Sequence, residues 1–113
     1  MANGVARARF ESLRSLGFAG ISASYAPVGS ALTQQVRAFC ITNNTQGDLI
    51  FSLDPTDSQG EMFVAKGSYK LYDVQANMNP RADDKYVLAV GDRFYVKQVT
   101  APAAGDVYIE CIF

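Results

Sequence analysis

The sequence predicts an all-β protein, a single β-sandwich of Greek-key or jelly-roll type with about eight short strands. Short runs of alternating apolar and polar residues recur along the chain at roughly ten-residue spacing, which is typical of sandwiches and small barrels. Gly, Pro, Asn and Asp separate these runs. The length of 113 residues fits one domain, and the 49% of hydrophobic residues is sufficient for a core.

The predicted strands follow the alternation and end at turn signals. In chain order they cover residues 21–25, 36–42, 49–54, 62–66, 69–73, 86–90, 93–99 and 107–113. Pro27 and Gly29 predict a break after the first strand, and the polar run 43–48 predicts a hairpin loop. In the last strand Val107, Ile109 and Cys111 share one face, so we expect the C-terminus to be held in a sheet.

Residues 1–17 are expected to form an N-terminal arm, and residues 18–113 the sandwich domain. The arm is extended or contains a short helix over residues 5–16, ended by Gly17. Such a short helix is marginal alone, so we expect the arm to order against a partner. The residues expected to bind that partner are Arg7, Arg9, Phe10, Leu13 and Arg14. An ordinary solvated terminus is the alternative.

The composition excludes several classes of function. Histidine is absent, which removes Ser–His and Cys–His nucleophile pairs, imidazole metal ligands and the usual general base. The net charge of −1 gives no field that would attract nucleic acid. No apolar run reaches the ~18 residues of a membrane span, and no secretion signal is visible. We therefore expect a protein that is not an enzyme and has no cofactor.

The two cysteines, Cys40 and Cys111, each fall in a predicted strand. Two cysteines alone leave open a disulfide or two free thiols. Without a secretion signal, free and buried thiols are favoured.

Acidic residues around one loop are a candidate calcium site. Asp54, Asp57 and Glu61 lack the alternating ligand spacing of an EF-hand loop, and Pro55 stiffens the segment. A loop with Asx turns explains them, and no metal site is predicted.

Exposed tyrosines are the remaining candidates for binding. Tyr25, Tyr69 and Tyr72 lie in or next to predicted strands, with Tyr69 and Tyr72 on opposite faces of one strand. Tyrosine is frequent among interface anchors and also stacks on sugar rings. A mixed role in the core and at its rim is the alternative.

Short segments spread over most of the chain after the arm have a familiar order and spacing. They are 17–25, 28–29, 36–37, 41–45, 50–54, 63–64, 67–68, 71–73, 77, 94–97 and 101–110. In these segments the chain resembles small structural proteins of tailed bacteriophages. It departs from them at Pro55, where a Gly is expected after Asp54.

The resemblance implies a virion component without catalytic residues. We expect a capsid decoration (cement) protein that bridges capsid subunits, located in the virion and assembled in the host cytoplasm. A head–tail connector or tail accessory protein arranged in a ring is one alternative, and a carbohydrate-binding module that uses the tyrosines is another. The expected partners are other virion proteins (the major capsid protein, or portal and tail proteins) and further copies of the chain, with no nucleic acid and no membrane.

Overall fold

A computed structural model describes residues 9–56, 60–73, 88 and 90–113. In this part of the chain the regular structure consists of eight strands and one turn of 3-10 helix, Phe18–Gly20. The strands are β1 (Arg14–Gly17), β2 (Ala26–Val28), β3 (Ala38–Thr45), β4 (Leu49–Ser52), β5 (Met62–Val64), β6 (Ser68–Asp73), β7 (Phe94–Gln98) and β8 (Gly105–Ile112). None of the described residues forms a helix long and apolar enough to cross a membrane.

The strands form two antiparallel sheets of four. Sheet A has the order β1-β8-β3-β6, and sheet B has the order β2-β7-β4-β5. The first strand pairs with the last, the second with the seventh, the third with the sixth and the fourth with the fifth. The chain is thus one long hairpin ribbon rolled up on itself, with β8 pairing to β3 and β7 to β4 where the roll closes. This is the jelly-roll arrangement, and it confirms the predicted sandwich.

Alternate residues of the strands fill the space between the sheets. In β3, Phe39 and Ile41 point inward, and they lie opposite the buried Cys111 and Ile109 of β8. From sheet B, the ring of Phe94 packs on Phe39 with 5.1 Å between ring centroids. The buried apolar side chains are Ile21, Val28, Leu32, Val36, Phe39, Ile41, Leu49, Phe51, Val64, Leu88, Phe94, Val96, Val107, Ile109 and Cys111.

Six of the predicted strands have a counterpart in the structure. The differences from the prediction lie near the N-terminus and around residue 88. Residues 21–25 are not a strand; the strand is β2, which covers part of the predicted break. Strand β1 lies within the segment 1–17 and pairs with β8, where a short helix or an extended arm was expected. From the predicted strand 86–90, Leu88 forms an isolated bridge with Val36, and most of the rest lies outside the described residues.

The loop predicted at residues 43–48 is shorter in the structure because Asn43 supplies hydrogen bonds from inside the sandwich. Its side-chain amide donates to the carbonyl oxygens of Gly47 (2.8 Å) and Val64 (3.0 Å). Its side-chain oxygen accepts from the backbone N–H and the hydroxyl of Thr45. With these bonds satisfied, the polar residues Asn43 and Thr45 continue β3 as buried positions.

Candidate functional site: the outer face of sheet A

The residues expected to bind a partner from the arm have different environments. Arg9 and Phe10 are exposed, Leu13 is 59% exposed, and Arg14 is only 4% exposed. Arg7 lies outside the described residues. Arg14 was expected on a binding surface, whereas the structure places its guanidinium against the protein's own backbone.

Arg14 joins β1 to the loop between β2 and β3. Its Nε donates to the carbonyl oxygen of Ser30 at 2.8 Å, and Nη2 donates to that of Ala31 at 3.0 Å. Nη2 also lies 2.8 Å from Oε1 of Glu11, forming an ion pair in which both side chains are 4% exposed. A planar guanidinium fits this set of acceptors because its donors form a rigid fork. Arg14 therefore stabilises the domain itself.

Glu11 holds the same loop from the other end of the ion pair. Its Oε2 accepts from the backbone N–H of Gln34 at 2.8 Å and of Thr33 at 3.2 Å. Burial acts to raise the pKa of the Glu11 carboxyl, but the hydrogen bonds from Arg14, Gln34 and Thr33 lower it overall. The charged form is thus favoured in the folded protein.

Sheet A presents a second face to solvent. Residues directly opposite one another in antiparallel strands lie on the same face of a sheet. The outward-facing set is called the outer face of sheet A and comprises Phe10, Ser15, Ala38, Cys40, Thr42, Asn44, Tyr69, Leu71, Asp73, Asp106, Tyr108, Glu110 and Ile112. Three of its large apolar side chains are largely exposed: Phe10 (65%), Tyr69 (68%) and Leu71 (65%). These exposed side chains make the outer face of sheet A a candidate surface for contact with another protein.

Cys40 lies half-buried near the middle of this face, opposite Leu71 on one side and Glu110 on the other. Burial raises the pKa of the Cys40 thiol, and the Glu110 charge raises it further, against a hydrogen bond with Thr42. Both cysteines are free, and Cys111 points to the opposite face of the sheet. The expectation of buried thiols therefore holds for Cys111, and Cys40 is half-buried.

Strand β6 forms one edge of the outer face. It is six residues long, and Tyr69, Lys70, Leu71 and Asp73 are exposed along it. The other sheet edges are shorter: β1 has four residues, and β2 and β5 have three each. Strand β2 also contains Pro27, which has no N–H to offer another strand.

The outer face of sheet B has a polar cluster instead. The Tyr25 hydroxyl donates to Oε2 of Glu61 at 2.7 Å. Nζ of Lys97 lies 3.4 Å from the same oxygen and 4.7 Å from the centre of the Tyr25 ring. Tyr25 is therefore engaged within the protein on this face.

The three candidate tyrosines do not form a common platform. Tyr25 precedes β2 of sheet B, whereas Tyr69 and Tyr72 lie on opposite faces of β6 in sheet A, as predicted. The Tyr72 ring stacks on Phe39 with 5.0 Å between centroids, so it belongs to the rim of the core. Among the three, Tyr69 alone is largely exposed.

The acidic loop shows ordinary turn contacts where it is described. Asp54 accepts from the backbone N–H of Thr56 at 2.7 Å, and Glu61 bonds to Tyr25. Asp57 lies outside the described residues. Within residues 9–56, 60–73, 88 and 90–113, no group of three or more acidic or cysteine side chains could hold a metal ion.

Leu71, Cys40 and Ile112 were not predicted from the sequence to lie on the outer face of sheet A. Strand alternation contains the signal, because each lies one position away from an inward-facing residue. Recognising the face also requires knowing that β1, β8, β3 and β6 are neighbours, and these strands are far apart in the sequence.

No protein-family model matches the chain, and no curated protein matches it either. Its fold is similar to that of a solved protein from Bacillus endospore appendages, which form disulfide-linked pili. The match covers 100% of this chain and 93% of that chain, with a TM-score of 0.51 and 13% sequence identity. At this identity the likeness shows that the two chains share a fold.

Proposed function

We propose that the protein is a non-enzymatic structural component of a bacteriophage particle, a decoration protein that binds capsid subunits through the outer face of sheet A. The observation that carries this proposal is the exposure of three large apolar side chains on that face: Tyr69 and Leu71 on β6 at one edge of the sheet, and Phe10 beside β8 near the other. Large apolar side chains cost free energy in water, and burial against another protein removes that cost.

The resemblance to phage structural proteins supplies the choice of partner.

The fold likeness to a pilus protein favours a second candidate, a subunit that assembles mainly with copies of itself into a filament. Jelly rolls can serve in closed shells and in linear polymers, because the outcome depends on which surfaces meet and at what angle. The two candidates differ in what the isolated protein does. A filament subunit polymerises alone, whereas a decoration protein needs the shell.

A pair of matched variants tests the proposed binding face. Phe10→Arg places a charge on the outer face of sheet A, and Phe63→Arg does the same on sheet B, where Phe63 is 45% exposed. We expect binding to particles that lack the protein to weaken at least ~10-fold with Phe10→Arg, since one hot-spot side chain contributes about 2 kcal/mol or more. Phe63→Arg should leave binding unchanged. Equal effects of the two variants would contradict the proposal.

Copy number separates the decoration protein from a head–tail or tail ring. In purified particles, a shell protein is present in a number comparable to the capsid subunits, whereas a ring has the few copies of its own cyclic symmetry. Filaments of the isolated protein in electron micrographs would instead support the second candidate.

A further inference from the structure

Strand β6, with six residues, is the longest of the four strands at a sheet edge among the described residues. Strand β2 has three residues and contains Pro27, β5 has three residues, and β1 has four. An edge strand presents unpaired backbone N–H and C=O groups, which can pair with a strand of another chain.

The side chains of β6 are complementary to themselves. When an antiparallel strand pairs with its own copy around Leu71, Leu71 lies opposite Leu71 of the second copy. The same register places Lys70 opposite Tyr72 of the second copy, and Tyr69 opposite Asp73 of the second copy. Each pair is favourable: an apolar contact, a cation on an aromatic ring, and a hydroxyl beside a carboxylate.

Lys70 selects this register. It lies opposite Ile41 on the inward-facing side of the sheet, yet it is exposed because β6 is at the edge. A charge in this position discourages unspecific strand pairing. A register shifted by one residue on each strand would place Lys70 opposite Lys70 of the second copy, and like charges directly opposite are unfavourable. The Leu71-centred register instead gives each Lys70 an aromatic partner.

We propose that two copies of the chain associate through antiparallel pairing of their β6 strands, centred on Leu71. The two copies of sheet A then form one eight-stranded sheet with a two-fold axis at Leu71. The outer faces become continuous, with Leu71 and Tyr69 of both copies at the seam. The dimer is then the unit that binds the capsid through the outer face of sheet A, and in this respect the inference rests on the proposed function.

Cysteine cross-linking tests the register. Leu71→Cys and Tyr69→Cys are matched variants in a Cys40→Ser background, because both positions are exposed on the outer face and lie two residues apart. The register brings the two copies of residue 71 together, while residue 69 faces residue 73. With diamide as oxidant, we expect Leu71→Cys to form a covalent dimer and Tyr69→Cys to remain monomeric on a non-reducing gel. Equal cross-linking of both variants, or of neither, would overturn the register.

Sedimentation of the full chain tests the dimer itself. We expect the wild-type protein to form dimers, and Leu71→Arg to raise the dimer dissociation constant at least tenfold without changing the thermal midpoint of its monomer. Wild-type protein that stays monomeric up to millimolar concentration, or assembles beyond a dimer in solution, would overturn the inference. Failure here is distinct from failure of the proposed function, because binding of Phe10→Arg and Phe63→Arg to particles is measured separately.

Discussion

Arg14 is expected from the sequence to be an exposed residue of the arm, whereas in the structure it is buried. Three arginines near the N-terminus indicate a basic arm, and exposure is the usual state of arginine. In the structure Arg14 is buried because Glu11, three residues earlier, and three backbone carbonyl groups satisfy its donors. The pair of charges couples β1 to the loop that leads into β3.

The first prediction concerns this ion pair. Replacing Arg14 with Met removes the cation from the Glu11 carboxylate and the hydrogen bonds to Ser30 and Ala31, and one hydrogen bond to a charged group typically contributes about 1.5–3 kcal/mol. Urea unfolding should therefore show a large loss of stability for Arg14→Met. Arg9→Ala is the control, since Arg9 is exposed and its removal should change the free energy of unfolding by less than about 0.5 kcal/mol. Similar stability of the two variants would show that the ion pair contributes little.

The second prediction is the pH dependence that Glu11 imparts. Its pKa is lower in the folded protein than in the unfolded chain, where a glutamate has a pKa of about 4.3. The stabilisation is therefore fully present above that value and is lost as the pH falls through the folded-state pKa. The thermal midpoint of Glu11→Gln should lie below that of the wild type at neutral pH, and the gap should narrow in acid. A gap that is constant with pH would contradict this linkage.

The third prediction concerns the two thiols. Burial raises the pKa of the Cys111 thiol to about 11, although nearby Arg14 acts to lower it. Cys40 is half-buried on the outer face. A thiol reagent at pH 8 should therefore modify Cys40 faster than Cys111, which should react only on unfolding. Cys40→Ser should remove the fast phase, and Cys111→Ser should retain it; the opposite pattern would exchange the two assignments.

At the level of elements, the turn after β2 depends on a glycine. Gly29 has a φ of 70°, a left-handed conformation that side chains disfavour, and a Cβ there would lie 2.6 Å from Cγ of Arg14. Gly67 has nearly the same φ, 68°, but nothing lies within 4 Å of the corresponding position. Comparing the stability cost of a side chain at the two positions therefore distinguishes backbone strain from a steric clash.

The fourth prediction compares these two positions. Gly67→Ala should cost about 1–2 kcal/mol for the left-handed backbone alone. Gly29→Ala should cost clearly more, because it also displaces Arg14 from the loop. Thermal or urea unfolding measures both. Equal losses would show that Arg14 adjusts without penalty.

The elements that were predicted from the sequence share a strong period of two. Strands β4, β7 and β8 alternate between buried apolar residues and more exposed ones, and this pattern is visible without the structure. Strands β1 and β2 lack it. In β1 an inward position is taken by Arg14, and β2 contains Pro27 near Gly29, so local propensity indicates a turn. Tertiary pairing with β8 and β7 makes both segments strands.

The candidate site was predictable only in part, for a related reason. Phe10 and Tyr69 were chosen from the sequence and do lie on the outer face of sheet A. Leu71, between a Lys and a Tyr, was indistinguishable from a core residue. Whether an alternating apolar residue faces the core or the solvent depends on which strand is at the edge, and non-local pairing decides that.

At the level of the whole molecule, the two ends of the described chain meet. Strand β1 and strand β8 pair residue by residue, from Arg14 with Ile109 to Gly17 with Asp106, and Phe10 bridges to Ile112. A hairpin ribbon that pairs its first strand with its last can close only after nearly all of the chain is present. Such non-local pairs typically form slowly in folding. The contacts of β1 with β8 are the ones that hold the two ends of the described chain together.

The last prediction therefore concerns truncation. The sequence alone places residues 1–17 in an arm outside the sandwich domain, and removal of such an arm would leave the sandwich intact. The structure leads us to expect the opposite, since the deletion removes the Glu11–Arg14 pair, the inward-facing Leu16 and nearly all of β1. The free energy of unfolding should fall by about 2 kcal/mol or more, the lower end for removing a leucine side chain that packs on a core. A domain is typically stable by only roughly 5–15 kcal/mol, so the loss is readily measured.

The comparison that decides it is with Arg14→Met, measured by urea unfolding in the same buffer. The deletion removes both charges, so its loss of stability comes from a different source: it exposes the edge of β8 and the core beneath Leu16. A truncated protein with the cooperative transition and midpoint of the full chain would show instead that sheet A is complete without β1. In that case β1 is not needed for the fold and is free to pair with another chain. The edge of β8 that it leaves would then compete with β6 for strand pairing between two copies.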